Sequence, residues 1–142
     1  VGDGAYHETL QEWVRANHLA EAVDFLGFRR DVRDLIQCFD VHLFPSHMEG
    51  TPNTLYEALA VGNACVASTA DGQGEILTDG ENALMFAPGD HQKMAEQILR
   101  VLQDNDVEQA LRMHARSLAA RFDGRVAIRK MEQFYTDMVS GN

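Results

Sequence analysis

The sequence predicts an α/β domain in which a parallel sheet carries helices on both faces. Three observations lead there. Short apolar strings alternate along the chain with segments whose apolar residues recur at helical spacing. The strings Val41-His42-Leu43-Phe44 and Ala64-Cys65-Val66-Ala67-Ser68 are apolar nearly throughout, as strands covered on two faces require. The connections between strings and helical segments are short, which is how crossover units of a parallel sheet are built.

In chain order, Val1-Gly2-Asp3-Gly4 reads as the end of a strand turning through glycines. Leu10, Trp13, Val14 and Asn17 mark one face of a helix between Tyr6 and Asn17. Val23-Asp24-Phe25-Leu26-Gly27 is expected to be a short strand. Asp31 is placed to cap a helix that carries Val32, Leu35, Ile36 and Phe39. The strand Val41–Phe44 runs into a loop from Pro45 to Gly50, then a helix. The strand Ala64–Ser68, a glycine-bearing loop and the strand Ala83–Phe86 follow. Asp90 opens a helix with Met94, Ile98, Val101 and Leu102 on a face. Asp106 opens another with Leu111, Ala115, Leu118 and Phe122. Asp123-Gly124 breaks the chain, and Ala127, Met131, Phe134 and Met138 line the last helix.

A chain of 142 residues, 45% hydrophobic and 24% charged, has one domain's length and enough apolar mass for a core. Its formal charge of −10 opposes nucleic acid, which demands a positive footprint, and opposes anionic lipid equally. No apolar run approaches the ~20 residues of a membrane span. No charged-then-apolar stretch is visible in these residues, so no secretory signal is expected within them. Cys38 and Cys65 form no pair motif and sit in apolar strings, so both are expected as reduced core thiols in a cytoplasmic setting.

Ligands of such sheets bind beyond the carboxyl ends of the strands, which directs attention to the loops that follow them. One stands out, Phe44-Pro45-Ser46-His47-Met48-Glu49-Gly50-Thr51-Pro52-Asn53-Thr54-Leu55-Tyr56-Glu57. Thr51-Pro52 is a strong helix start, a hydroxyl at the cap followed by proline. The N–H groups of Asn53, Thr54 and Leu55 then point out of the helix end and, with its dipole, make a seat for a diphosphate. Gly50 lets backbone approach that guest with no Cβ in the way.

Two glutamates need a separate reason, because carboxylates repel phosphate. Glu57 lies ~7–8 Å along the helix and leans back toward its start. From there it can accept hydrogen bonds from a vicinal diol, as an acidic residue does for ribose in dinucleotide folds. Glu49 flanks the phosphate seat on the other side, where sugar hydroxyls would lie. A nucleotide-sugar has hydroxyls at both ends and phosphates between. The plain alternative is that Glu49 is a loop charge and Glu57 a solvated helix position.

These segments resemble the C-terminal domain of glycosyltransferase family 4 (group 1), retaining enzymes of GT-B architecture. The resemblance runs through Val1-Gly2-Asp3-Gly4, Val23–Phe28, Pro45–Asn53, Glu57-Ala58-Leu59-Ala60-Val61-Gly62, Gly74-Glu75-Ile76-Leu77, Asp79-Gly80-Glu81-Asn82 and Pro88-Gly89-Asp90. Glu49 and Glu57 meet the family's two-glutamate signature. The resemblance implies a Rossmann-like core over residues 1–122 with a C-terminal helix over 123–142, the early strands of the full domain preceding Val1. It implies transfer of a hexosyl group from a nucleoside-diphosphate sugar with retained configuration. By that resemblance Glu49 contacts the donor sugar and is the catalytic candidate, Gly50 to Leu55 hold the diphosphate and Glu57 holds ribose. Phe28 and Arg29 lie near the base. No cofactor or metal is implied.

The resemblance also implies an acceptor-binding N-terminal domain, with an arginine and a lysine on loops before Val1-Gly2-Asp3-Gly4. The piece from Val1 is therefore expected to be inactive by itself. A non-catalytic nucleotide-sugar-binding subunit and a GT-B epimerase are the alternatives. Ala64 and Ala83 stand where the family usually has proline and glycine. Asp104-Asn105-Asp106 has the form of a metal-binding Asp-x-Asp, but it lies between two amphipathic helices, where capping explains it. His42 is expected to be a satisfied buried imidazole, and His47, within the binding loop, a surface histidine, with contact to the donor as the alternative. Gly72-Gln73-Gly74 lacks a third glycine and is no dinucleotide fingerprint; following a strand, it is a candidate to border the sugar, with a plain turn as the alternative.

Overall fold

A computed structural model describes residues 1–48, 50 and 53–140 and divides the chain into two units, Val1–Leu35 and Ile36–Asn142. In the second unit β1 (Val41–Phe44), β2 (Ala64–Ser68) and β3 (Leu84–Phe86) form a parallel sheet in that order. Val41 pairs with Ala64 and Phe44 with Ala67; Val66 pairs with Leu84 and Ser68 with Phe86. All residues of β2 and β3 are buried. Successive strand side chains point to opposite faces, so both faces are covered there.

On one face Ala64, Val66, Leu84 and Phe86 meet Val101 of α5 (His91–Gln103) and Leu111 of α6 (Asn105–Ala119). Met94, Ile98 and Val107 close around them. On the other face Cys65, Ala67 and Met85 are equally out of water. The helix α3 (Asn53–Val61), which joins β1 to β2, contributes Leu55, Ala58 and Leu59, all fully buried. Each such leucine contributes roughly 1.5–3 kcal/mol by leaving water.

Polar groups set the ends of these helices. Asp90 caps α5 by accepting the Lys93 N–H at 2.9 Å. Asp104, not Asp106, starts α6: its Oδ1 accepts the N–H groups of Asp106 and Val107, each at 3.1 Å. Its own N–H closes α5 on the Arg100 carbonyl. One residue thus ends one helix and begins the next, which is why the boundary falls two positions early. The helix α3 closes through Gly62 at φ +80°, with Gly62 N–H bonding the Leu59 carbonyl and Asn63 N–H that of Ala58. That paired pattern needs the left-handed conformation glycine tolerates. A side chain at 62 would also run into Arg116. Arg112 crosses the same corner, paired with Glu108 and donating to the carbonyls of Gly62, Phe39 and Asp40.

The glycine-bearing loop after β2 contains a single helical turn, α4 (Asp71–Gly74). A short 3-10 turn, Ala120–Phe122, precedes α7 (Gly124–Ser140). Met131, Phe134 and Met138 of α7 are more than half exposed.

In the first unit, α1 (His7–Ala16) matches the expected helix, though of its anticipated face only Val14 is buried. Val23–Gly27 forms no strand: a ladder needs a run of paired backbone groups, and Gly2 N–H to the Gly27 carbonyl at 2.7 Å is a single rung. Asp31 precedes α2 (Val32–Ile36) and accepts Asp34 and Leu35 N–H through its carbonyl, its carboxylate turning instead to Arg29. Phe39 falls beyond α2, and Cys38 is exposed rather than core. His42 is not satisfied either. Its ring stacks on Phe44 at 4.3 Å, and Nδ1 is buried with no hydrogen-bond partner. Burial pushes that imidazole down to about 4, so it is neutral at ordinary pH.

Candidate functional site

Because the three strands run in parallel, their carboxyl ends open on one edge of the sheet, and the loops leaving them meet there. Ser68 at the end of β2 donates its hydroxyl to the carbonyl of Ser46, in the loop after β1, at 2.5 Å. Thr69 N–H bonds the carbonyl of Phe86, the last residue of β3, at 2.8 Å. The His47 ring lies close to Gly89, in the turn before α5, where an added Cβ would come within 3.6 Å of it. Side-chain and backbone contacts therefore lace together the exits of β1, β2 and β3.

From this edge α3 departs. Asn53 and Thr54 are exposed in its first turn, while the Leu55 side chain points into the core, leaving that residue only a backbone role at the surface. First-turn N–H groups have no acceptor within their own helix, so such an end favours an anion. Gly50 is exposed, with open space where a Cβ would project. Glu57 is half-buried, one turn beyond Asn53 along the same helix. Glu49 and Thr51 lie outside the described residues, as does Pro52.

In the first unit, Phe28 stands 70% exposed beside Gly27, whose φ of +61° makes the bend. Arg29 is engaged with Asp31 through two hydrogen bonds at 2.8 and 2.5 Å. The pair raises the guanidinium above its ordinary value and holds the carboxylate below its own. Two of the five N–H donors of Arg29 are spent on that fork, and the remainder can serve a ligand.

Ser68 closes a strand string and Gln73 stands in a glycine turn, so neither is marked as a site residue by the sequence. Both are fully buried polar residues directly beneath the loop after β1. The signal was a hydroxyl closing an otherwise apolar strand and an amide where glycines flank on both sides. A cavity of about 280 Å³ is lined by Gly80, Leu84, Arg100 and Val107, beside the start of β3 rather than its end. Strand-end chemistry is absent from it, so the loop edge is the better candidate.

Residues 1–104 match the family model described as glycosyl transferases group 1. A 2-deoxystreptamine N-acetyl-D-glucosaminyltransferase of Niallia circulans is 30% identical over 119 residues, covering 81% of this chain and 30% of that protein. The N-acetyl-alpha-D-glucosaminyl L-malate synthase of Bacillus anthracis is 28% identical over 140 residues, 98% of this chain and 37% of its own. The chain thus spans about a third of the length of these curated relatives. Among solved structures, HepE of Anabaena in complex with UDP-glucose superposes with a TM-score of 0.83 at 26% identity, covering 99% of this chain and 40% of HepE.

Proposed function

Because this chain belongs to the group 1 glycosyltransferases, we propose that it is the donor-binding part of a longer retaining hexosyltransferase that uses a nucleoside-diphosphate sugar. The observation that carries this reading is the position of α3: its first turn opens at the carboxyl edge of a parallel sheet, with Glu57 one turn inside. The complexes of HepE with UDP and UDP-glucose support a nucleotide-sugar as the ligand class.

In this reading the N–H groups of Asn53, Thr54 and Leu55, with Gly50 and Thr51, take the diphosphate, and the helix dipole adds to their pull. Glu57 accepts from the ribose diol. Glu49 takes sugar hydroxyls near the reacting carbon, and Phe28 and Arg29 border the base. Transfer breaks the bond between the anomeric carbon and the phosphate oxygen. The acceptor oxygen bonds that carbon on the same face, and its proton passes to the leaving phosphate. No protein nucleophile and no metal are called for; positioning and stabilisation of the leaving charge supply the catalysis. Acceptor choice belongs to the rest of the protein. The proposed setting is cytoplasmic, which two cysteines outside any disulfide suit. Among the described residues no helix is long and apolar enough to cross a membrane.

The test is calorimetric titration with UDP, and with GDP and ADP in parallel. Glu57→Ala is expected to weaken the preferred diphosphate by about tenfold or more, the cost of charge-assisted hydrogen bonds to the diol. Affinity equal to wild type would remove ribose binding from Glu57 and the support for this site with it.

A further inference from the structure

Beneath the loop that leads from β1 toward α3 lies a chain of three polar groups in an otherwise apolar layer. Ser68 is 0% exposed and donates to the Ser46 carbonyl at 2.5 Å. Gln73 of α4 is 0% exposed, and its Oε1 sits 3.2 Å from the same hydroxyl. Its Nε2 is buried with no hydrogen-bond partner. A hydroxyl has one proton, and the short bond to Ser46 uses it. The amide atom facing Ser68 should therefore be a donor. A half-turn of the amide, which leaves the heavy-atom positions almost unchanged, places Nε2 there. The groups then run in one direction: Gln73 N–H to Ser68 oxygen, Ser68 O–H to Ser46 carbonyl. Each bond polarises the next, and Nε2 gains the acceptor it otherwise lacks.

A buried glutamine costs desolvation that an apolar side chain of its size would avoid, so its presence asks for a reason beyond packing. The site above supplies one. Ser46 is three residues before Glu49 and four before Gly50, so its carbonyl fixes where that loop begins. We infer that Ser68 and Gln73 are positioning residues for the donor site: through the Gln73–Ser68–Ser46 chain they set the height of residues 45–48, where the loop leaves β1, over the sheet edge. This rests on the proposal that the loop and α3 bind the donor diphosphate. Neither residue touches the ligand. Their action is on the pre-organisation of the backbone that does.

The experiment is a double-mutant cycle read by calorimetry with UDP, GDP and ADP on the full-length protein, using Ser68→Ala, Gln73→Leu and the double variant, with Ser68→Thr as the conservative rescue and Glu57→Ala alongside. Ser68→Ala is expected to weaken the preferred diphosphate by about tenfold and Gln73→Leu by about threefold to fivefold. The double variant should lose no more than Ser68→Ala does, because the two residues act through one chain. Ser68→Thr keeps the hydroxyl and should stay within about twofold of wild type. Amide exchange at Phe44–Met48 should accelerate in both single variants while the core of α5 and α6 stays protected. Should Ser68→Ala fail to fold, Gln73→Leu and its exchange pattern carry the test. Wild-type affinity and exchange in Gln73→Leu and Ser68→Ala, with affinity lost in Glu57→Ala, would overturn the inference and leave the donor site standing. Unchanged affinity in Glu57→Ala as well would overturn both.

Discussion

The helices α6 and α7 are written in nearly the same pattern and meet different surroundings. In α6, Leu111, Ala115 and Leu118 are buried, Leu111 among the strand side chains Val66, Leu84 and Phe86. In α7, Met131, Phe134 and Met138 recur at the same three-and-four helical steps in reverse order and stay more than half exposed. The difference lies in what else each helix offers. The helix α6 has Arg112 reaching three carbonyls across the turn, Arg116 over Gly62 and Asp104 at its start. The described contacts of α7 are short-range: Gln133 to Asp137, Thr136 to Glu132, Ser140 to Thr136, and Phe134 against Tyr135. An amphipathic stripe says that a face favours burial; long-range polar ties say where.

The largest expected effect on this contrast comes from truncating equivalent stripe positions. Leu111→Ala should cost about 2–5 kcal/mol, the transfer loss plus the cavity left under Val66 and Leu84. Phe134→Ala should change stability by no more than about 0.5 kcal/mol. Urea unfolding of both variants reads the difference, and equal losses would erase the distinction. Next comes Arg112→Met, which keeps the apolar stem and deletes the donors. It should cost about 2–3 kcal/mol, since the carbonyls of Gly62, Phe39 and Asp40 lose their partner.

The smallest effect belongs to α7 and depends on pH. Hydrogen bonds from the Arg125 guanidinium and backbone hold Asp123, just before α7, at about 2, against 3.8 ordinarily. A depressed carboxyl stabilises the folded form fully above its unfolded value and loses that contribution as pH falls through the folded one. Thermal melts of wild type and Asp123→Asn should therefore differ slightly at neutral pH and converge between about pH 4 and about pH 2. A constant difference across that range would assign the effect to something other than this carboxylate.

The sequence made the buried strands plain because a strand covered on both faces has almost no polar positions, as β2 shows. Asp90 was readable because a capping carboxylate acts within three residues of itself. Val23–Gly27 was misread because its β-branched and aromatic composition describes side chains, whereas a strand exists only through a partner's backbone. Cys38 and His42 were misjudged for a related reason: an apolar neighbourhood in sequence fixes neither depth nor partners. In the candidate site, the start of α3 near Asn53 and the place of Glu57 one turn along were readable because helix-start chemistry is local; Glu49, Thr51 and Pro52 lie outside the described residues. Ser68 and Gln73 could not be seen that way. Their meaning comes from a hydroxyl reaching back 22 residues to Ser46.

The corner at Gly62 has a mechanical consequence. The nine residues of α3 make a rod ~13 Å long. Its far end is gripped by Arg112, the glycine turn and the bond from Asn63 to the Ile36 carbonyl, while its near end carries Asn53. Pivoting by about 5° at that grip would sweep the tip by about 1 Å, a misplacement that can cost an enzyme about 100-fold. A guanidinium on the quiet side of the sheet thus acts as the anchor bolt of a lever whose working end is the proposed diphosphate seat.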